Sequence, residues 1–111
     1  MKTIDLEKFR TPGSKVFTGR DRGLEVRNQS KIDEIESISD DAITIIIPKD
    51  IRSINPSFLE EFLFKVVKKI GKENFYRRFK FQNESERYQS FDSDLEEAIE
   101  SILKSENSLT R

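Results

Sequence analysis

The sequence predicts an α/β domain, a small mixed β-sheet with helices packed against it, and three observations carry that reading. The run Ala42 to Ile47, AITIII, is almost continuously β-branched and is bounded by Asp40-Asp41 and Pro48. Such a run is expected of a central strand buried on both faces. From Phe58 to Ile70 the apolar residues fall at i, i+1, i+4, i+5, i+8, i+9 and i+12, which is one broad helical stripe. Strand and helix signals also alternate along the chain, as βαβ crossovers require.

Taken in order, KTIDLEKF offers a loose alternation through Ile4, Leu6 and Phe9 and is read as a short first strand. Pro12-Gly13 marks a turn, so RTPGSKVFTG is expected to be a surface loop with Val16 and Phe17 anchoring it. Leu24, Ile32, Ile35 and Ile38 are spaced as a helix over 19–38, with a polar middle that predicts a break near Asn28 to Ser30. After the central strand, the helix that begins near Ser57 carries Glu60 and Glu61 early and Lys65, Lys68 and Lys69 late, which suits the macrodipole. Gly71 is a natural helix stop. FYRRFKFQN then reads as a strand, with Phe79 and Phe81 on one face and Arg78 and Lys80 on the other. ESERYQSFDS is expected to be a polar loop. The last helix, SDLEEAIESILKS, places Leu95, Ala98, Ile99, Ile102 and Leu103 on one face, with Ser93 and Glu96 as a capping box. A single domain is expected over 1–106, with 107–111 a frayed tail.

Composition narrows function. The chain has 111 residues, and its 20 basic and 21 acidic side chains leave a net charge of −1, so nucleic acid and anionic membranes are not indicated globally. There is no cysteine and no histidine. Thiol chemistry, thiolate metal sites and the usual near-neutral general base are therefore excluded. No catalytic, cofactor or metal residues are assigned. Asp40, Asp41, Asp92 and Asp94 read as caps and turns. Without a signal peptide or a membrane-length apolar run, a cytoplasmic location is expected.

The segment IIIPKDIRSINPSFLEEFLFKVVKKIGKENFYRRFKFQN resembles the STAS-like domains of many bacterial and phage proteins. A hydrophobic strand leads through a short loop to a Ser-Phe pair at a helix start, the helix ends in Gly, and a basic, aromatic segment enters the next strand. FTGRDRGLEVRNQSKI is similar to the family's upstream segment, so the resemblance covers roughly residues 16 to 83. It implies a non-enzymatic regulatory module for protein–protein interaction and signalling, related in fold to anti-sigma-factor antagonists. The partner it implies is a GHKL-type ATPase or kinase encoded nearby. In antagonists the phosphoacceptor is the first serine of Asp-Ser-Ser-Gly-Leu at a helix N-terminus. Here that motif falls on Asn55, Pro56, Ser57, Phe58 and Leu59. Proline holds the acceptor position, and only the neighbouring Ser57 remains as a phosphoacceptor candidate.

Ser57 also has a purely structural reading. It can be the N-cap, with Glu60 completing a capping box, or Asn55 can cap with Pro56 at the first helical position. The expected partner surface is the Asp50–Asn55 loop and helix start: Arg52, Ser53, Asn55, Ser57, Glu60 and Glu61, with Arg20 and Arg22 beside them. The glycines of TGRDRG are expected to let the first helix sit close to its neighbour. An alternative function is a nucleic-acid-associated regulator using Lys68, Lys69, Lys72, Arg77, Arg78 and Lys80, interleaved with Phe75, Tyr76 and Phe79. A third reading, a small homo-oligomeric structural protein, would use exposed apolar groups such as Phe9, Tyr88 or Phe91; a monomer or a weak homo-oligomer is expected.

Overall fold

A computed structural model of the protein describes residues 2–105; the 107–111 tail lies outside the described residues. β1 (Lys2–Asp5), β3 (Ile43–Ile47) and β5 (Phe79–Asn83) form a three-stranded sheet in the order β1-β3-β5. Both pairings are parallel, with Ile45 opposite Ile4 on one side and Phe81 on the other. A second, two-stranded parallel sheet pairs β2 (Val16–Phe17) with β4 (Ser53–Ile54). The α/β class stands as expected, but every described strand pairing is parallel where a mixed sheet was predicted.

β3 is central, as its β-branched run implied, yet it is buried on one face only. Ile43, Ile45 and Ile47 are fully buried, whereas Thr44 and Ile46 are half-buried. The opposite face of the sheet carries Thr3, Lys80 and Gln82, all exposed. The covered face joins Ile4 and Phe79 in one core with the helices.

α3 (Pro56–Arg78) is the central helix, flanked by α1 (Arg20–Ser30) and α4 (Phe91–Lys104). Its apolar stripe is buried from Phe58 to Val67, each large side chain stabilising the fold by roughly 1.5–3 kcal/mol. Phe58 joins Phe17 and Phe62 at ring separations of 5.1 and 5.8 Å. Gly23 of α1 lies against α3 so closely that a Cβ there would overlap the Phe58 carbonyl oxygen and stand 2.9 Å from Glu61 Cβ. The expectation of close helix approach therefore holds at Gly23. Gly19 has no atom near its Cβ position; its φ of +92° starts α1 instead.

Several local expectations change. β1 ends at Asp5, whose side chain caps a short 3-10 helix, Leu6–Phe9, so Leu6 enters the core from a helix and not from the strand. The loop around Val16 contributes a strand. The break in the second helical region falls at Lys31, in a left-handed conformation, with α2 (Ile32–Ile38) following. Of the predicted apolar positions Ile32 is buried as expected, whereas Leu24 and Ile38 are exposed and Val26 is buried in their place. Within α3 the helix that starts at Pro56 stops at Gly71 (φ 83°, ψ 168°), as expected, but a second helical segment follows directly and runs to Arg78. Phe75 and Arg78 are accordingly helical, and β5 starts at Phe79. The helix persists because Phe75 is completely buried and stacks on Phe79 at 4.7 Å, a tertiary contact that overrides the local alternation. α4 starts at Phe91, which replaces the Ser93–Glu96 capping box; Glu96 pairs with Lys72 and Tyr76. Its buried face is Leu95, Ala98, Ile99 and Ile102, while Leu103 is exposed.

Candidate docking surface

The segment between β3 and α3 is held from within and exposed without. Pro48 ends β3, and Ile51 and Ile54 are buried and anchor the segment in the core. Its backbone is tied on both sides. The Arg52 N–H donates to the Lys15 carbonyl at 2.7 Å and the Asn55 N–H to the Phe17 carbonyl at 2.8 Å. From the other flank the Tyr88 hydroxyl donates to the Ile54 carbonyl at 3.0 Å, and the Ser85 hydroxyl to the Ile51 carbonyl. Asp50 accepts from Arg10 at 2.7 and 3.1 Å and from Lys15 at 3.3 Å. The hydrogen bonds from Arg10, with a lesser one from Lys15, hold its carboxyl well below the usual carboxylate range. With that backbone fixed, Lys49, Arg52, Ser53 and Asn55 are left exposed.

The start of α3 resolves the two capping alternatives. Asn55 is the N-cap: its Oδ1 accepts from the Ser57 N–H at 2.8 Å and from the Ser57 hydroxyl at 2.7 Å. Pro56 takes the first helical position, where its missing N–H costs nothing. Ser57 is therefore not the cap but a half-buried residue one position further in. The Ser57–Glu60 capping box does not form, since with Asn55 as cap Glu60 lies beyond the first turn, whose positions carry no acid. Glu60 instead meets Arg20 of α1 at 2.9 Å, and Glu61 lies 3.8 Å from the same guanidinium.

Of the predicted surface residues, Arg52, Ser53, Asn55 and Ser57 follow one another along this segment, and Arg20 joins the surface through Glu60 and Glu61. Arg22 does not. Its guanidinium donates to the Phe9 carbonyl and pairs with Glu25, because position 22 points to a different side of α1 from position 20. The sequence reading missed the Arg10–Asp50–Lys15 clamp, whose partners are 40 and 35 residues apart. It also missed Tyr88 as a brace; a lone tyrosine within a polar loop was the available signal.

The basic stretch of α3 is largely occupied. Lys69 and Arg78 meet Glu36, and Lys72 meets Glu96 and Glu100. Lys68 donates to the Ser105 carbonyl, Lys80 to the Tyr76 carbonyl and Arg77 to Asn74. Phe75 and Phe79 are buried, so the aromatic faces that would stack on bases are in the core. Tyr76 is only partly buried and donates to Glu96 at 3.1 Å; burial, then Glu96, pushes its hydroxyl up to about 12. The apolar surface expected for self-association is also displaced. Tyr88 and Phe91 are buried and pack edge-to-face at 5.8 Å, and Phe9 is half-buried against the core. Their polar neighbours in sequence hid this role.

Residues 49–89 match the family model described as a STAS-like domain of unknown function. That segment runs from the loop after β3 through β4, α3 and β5 to the Tyr88 brace, and so contains the candidate surface except Arg20. No curated protein and no solved structure matches the chain. Among the described residues, no helix is long and apolar enough to cross a membrane.

Proposed function

We propose that this STAS-like chain is a non-enzymatic regulatory interaction module, docking its partner through the segment from Asp50 to Asn55 and the first turns of α3. The observation that carries this reading is a backbone pinned at Arg52, Ile54 and Asn55 beneath outward polar side chains. A surface ordered before binding loses little further entropy on association. Arg52 sits at its centre, exposed and, among the described residues, in no ion pair. An exposed array of amide, hydroxyl and guanidinium groups suits a protein surface bearing carboxylates. The partner class proposed, from the resemblance, is a GHKL-type ATPase or kinase, and the module acts by occupying or releasing it. Ser57 lies within this surface and is the phosphoacceptor candidate there.

The test is a search of the neighbouring genes for a GHKL-type ATPase, followed by calorimetric titration of the full chain into that purified ATPase; the absence of such a gene counts against this partner class. Binding that weakens at least about tenfold in the Arg52→Glu protein, a loss in the range expected of an interface charge reversal, supports the reading. Absence of binding removes that partner, and binding unaffected by Arg52→Glu removes this surface.

A further inference from the structure

We propose that residues 72–83, the end of α3 together with β5, form a hinged unit whose angle at Gly71 is set by the buried carboxylate of Glu36. Gly71 has φ +83° and ψ 168°, and nothing lies within 4 Å of where its Cβ would be. Glycine is needed there for backbone conformation and not for space. The break is also locally completed, because the Asn74 side-chain amide donates to the Ile70 carbonyl at 2.9 Å. A side chain thus supplies a donor to a helix carbonyl at the discontinuity.

Glu36 touches both sides of this joint. Its side chain is 6% exposed, and it meets Lys69 before the break at 2.7 Å and Arg78 after it at 3.4 Å. Arg78 is fixed further by donating to the Ser39 carbonyl at 2.7 Å and the Asp41 carbonyl at 3.2 Å. The rest of the unit is held by Phe75 and Phe79 in the core, by Phe81 against Phe91 of α4 at 4.9 Å, and by Lys72 with Glu96 and Glu100, these last three all more than a third exposed. Exposed pairs of that kind contribute little and are screened by salt, whereas a buried carboxylate between two cations is costly to remove. Among the described residues β5 is an edge strand bonded only to β3 in the sheet, so its release breaks a single described ladder. Opening of the hinge bares the β3 edge and takes Phe75 and Phe79 out of the core, leaving the packing of α1 on the first half of α3 in place.

Hydrogen exchange on the full chain, read by mass spectrometry, tests the proposal. In the Glu36→Gln protein, amides of 72–83 are expected to exchange at least about tenfold faster, with α1 and the first half of α3 unchanged. An unchanged rate overturns the role of Glu36, and an equal acceleration throughout the chain overturns the hinged unit. If the variant does not fold, the unmodified protein in sub-denaturing urea decides. Residues 72–83 must then open together before the rest, and a uniform pattern refutes the proposal.

Discussion

Replacing Gly23 by alanine sets two opposing effects against each other at one position. Gly23 is in the fourth position of α1, where alanine gains about 1 kcal/mol of helix propensity. A local reading of RDRGLEV therefore predicts a stabilised protein. The packing predicts the reverse, because the new methyl would overlap the Phe58 carbonyl oxygen and press on Glu61 Cβ at 2.9 Å. A backbone carbonyl inside a helix cannot rotate aside as a flexible side chain can. Relief comes only by moving α1 away from α3, along the most extensive helix–helix contact among the described residues. Overpacking of this kind costs about 1–3 kcal/mol, at the upper end here because the obstacle is rigid. Subtracting the propensity gain leaves a net loss of about 1–2 kcal/mol, each kcal/mol corresponding to roughly 4–8 °C in Tm for a chain of this size. Urea unfolding followed by circular dichroism should show a lower midpoint with an unchanged slope. A midpoint equal to or above that of the unmodified protein would refute the close approach of α1 and α3.

Two further substitutions probe single residues. Asn55→Ala should cost about 1 kcal/mol by removing the α3 cap, while Ser57→Ala should stay within about 0.5 kcal/mol; paired urea midpoints compare them, and the opposite ranking would return the cap to Ser57. Asp33 of α2 has one carboxylate oxygen sealed from solvent without a hydrogen bond, and burial raises its pKa against the pull of Arg27 and Lys65. A raised carboxyl pKa means that the folded state holds the proton more tightly, so ionised Asp33 opposes folding and the cost fades as pH falls through that pKa. Asp33→Asn should accordingly be more stable near neutrality, with the advantage shrinking towards acid; a variant less stable at neutral pH would show that the two cations outweigh burial.

Much of the helix and strand order was legible because each signal is local. The stripe from Phe58 to Val67 is buried as its spacing implies, whereas the β-branched run 43–47 marks a central strand but is buried on one face only. The cap at α3 was narrowed to two residues by the same local chemistry. Boundaries failed where a distant partner decided them. Phe75 to Arg78 alternates like a strand, yet stays helical while Phe75 packs against Phe79 and Arg78 reaches Glu36. Tyr88 and Phe91 lie in polar surroundings in sequence, yet fill the space between β4, β5 and α4.

For the candidate site the division is similar. By itself the sequence determined an α/β chain without thiol or imidazole chemistry, with a polar loop leading into a capped central helix. The pinning of that loop, the pairing of Arg20 with Glu60, the diversion of Arg22 and the neutralised basic stretch were decided only by tertiary structure. Periodicity records which face of an element is apolar, and capping acts within a turn. Ion pairs and backbone braces instead join residues tens of positions apart, and their partners are chosen by how the elements pack.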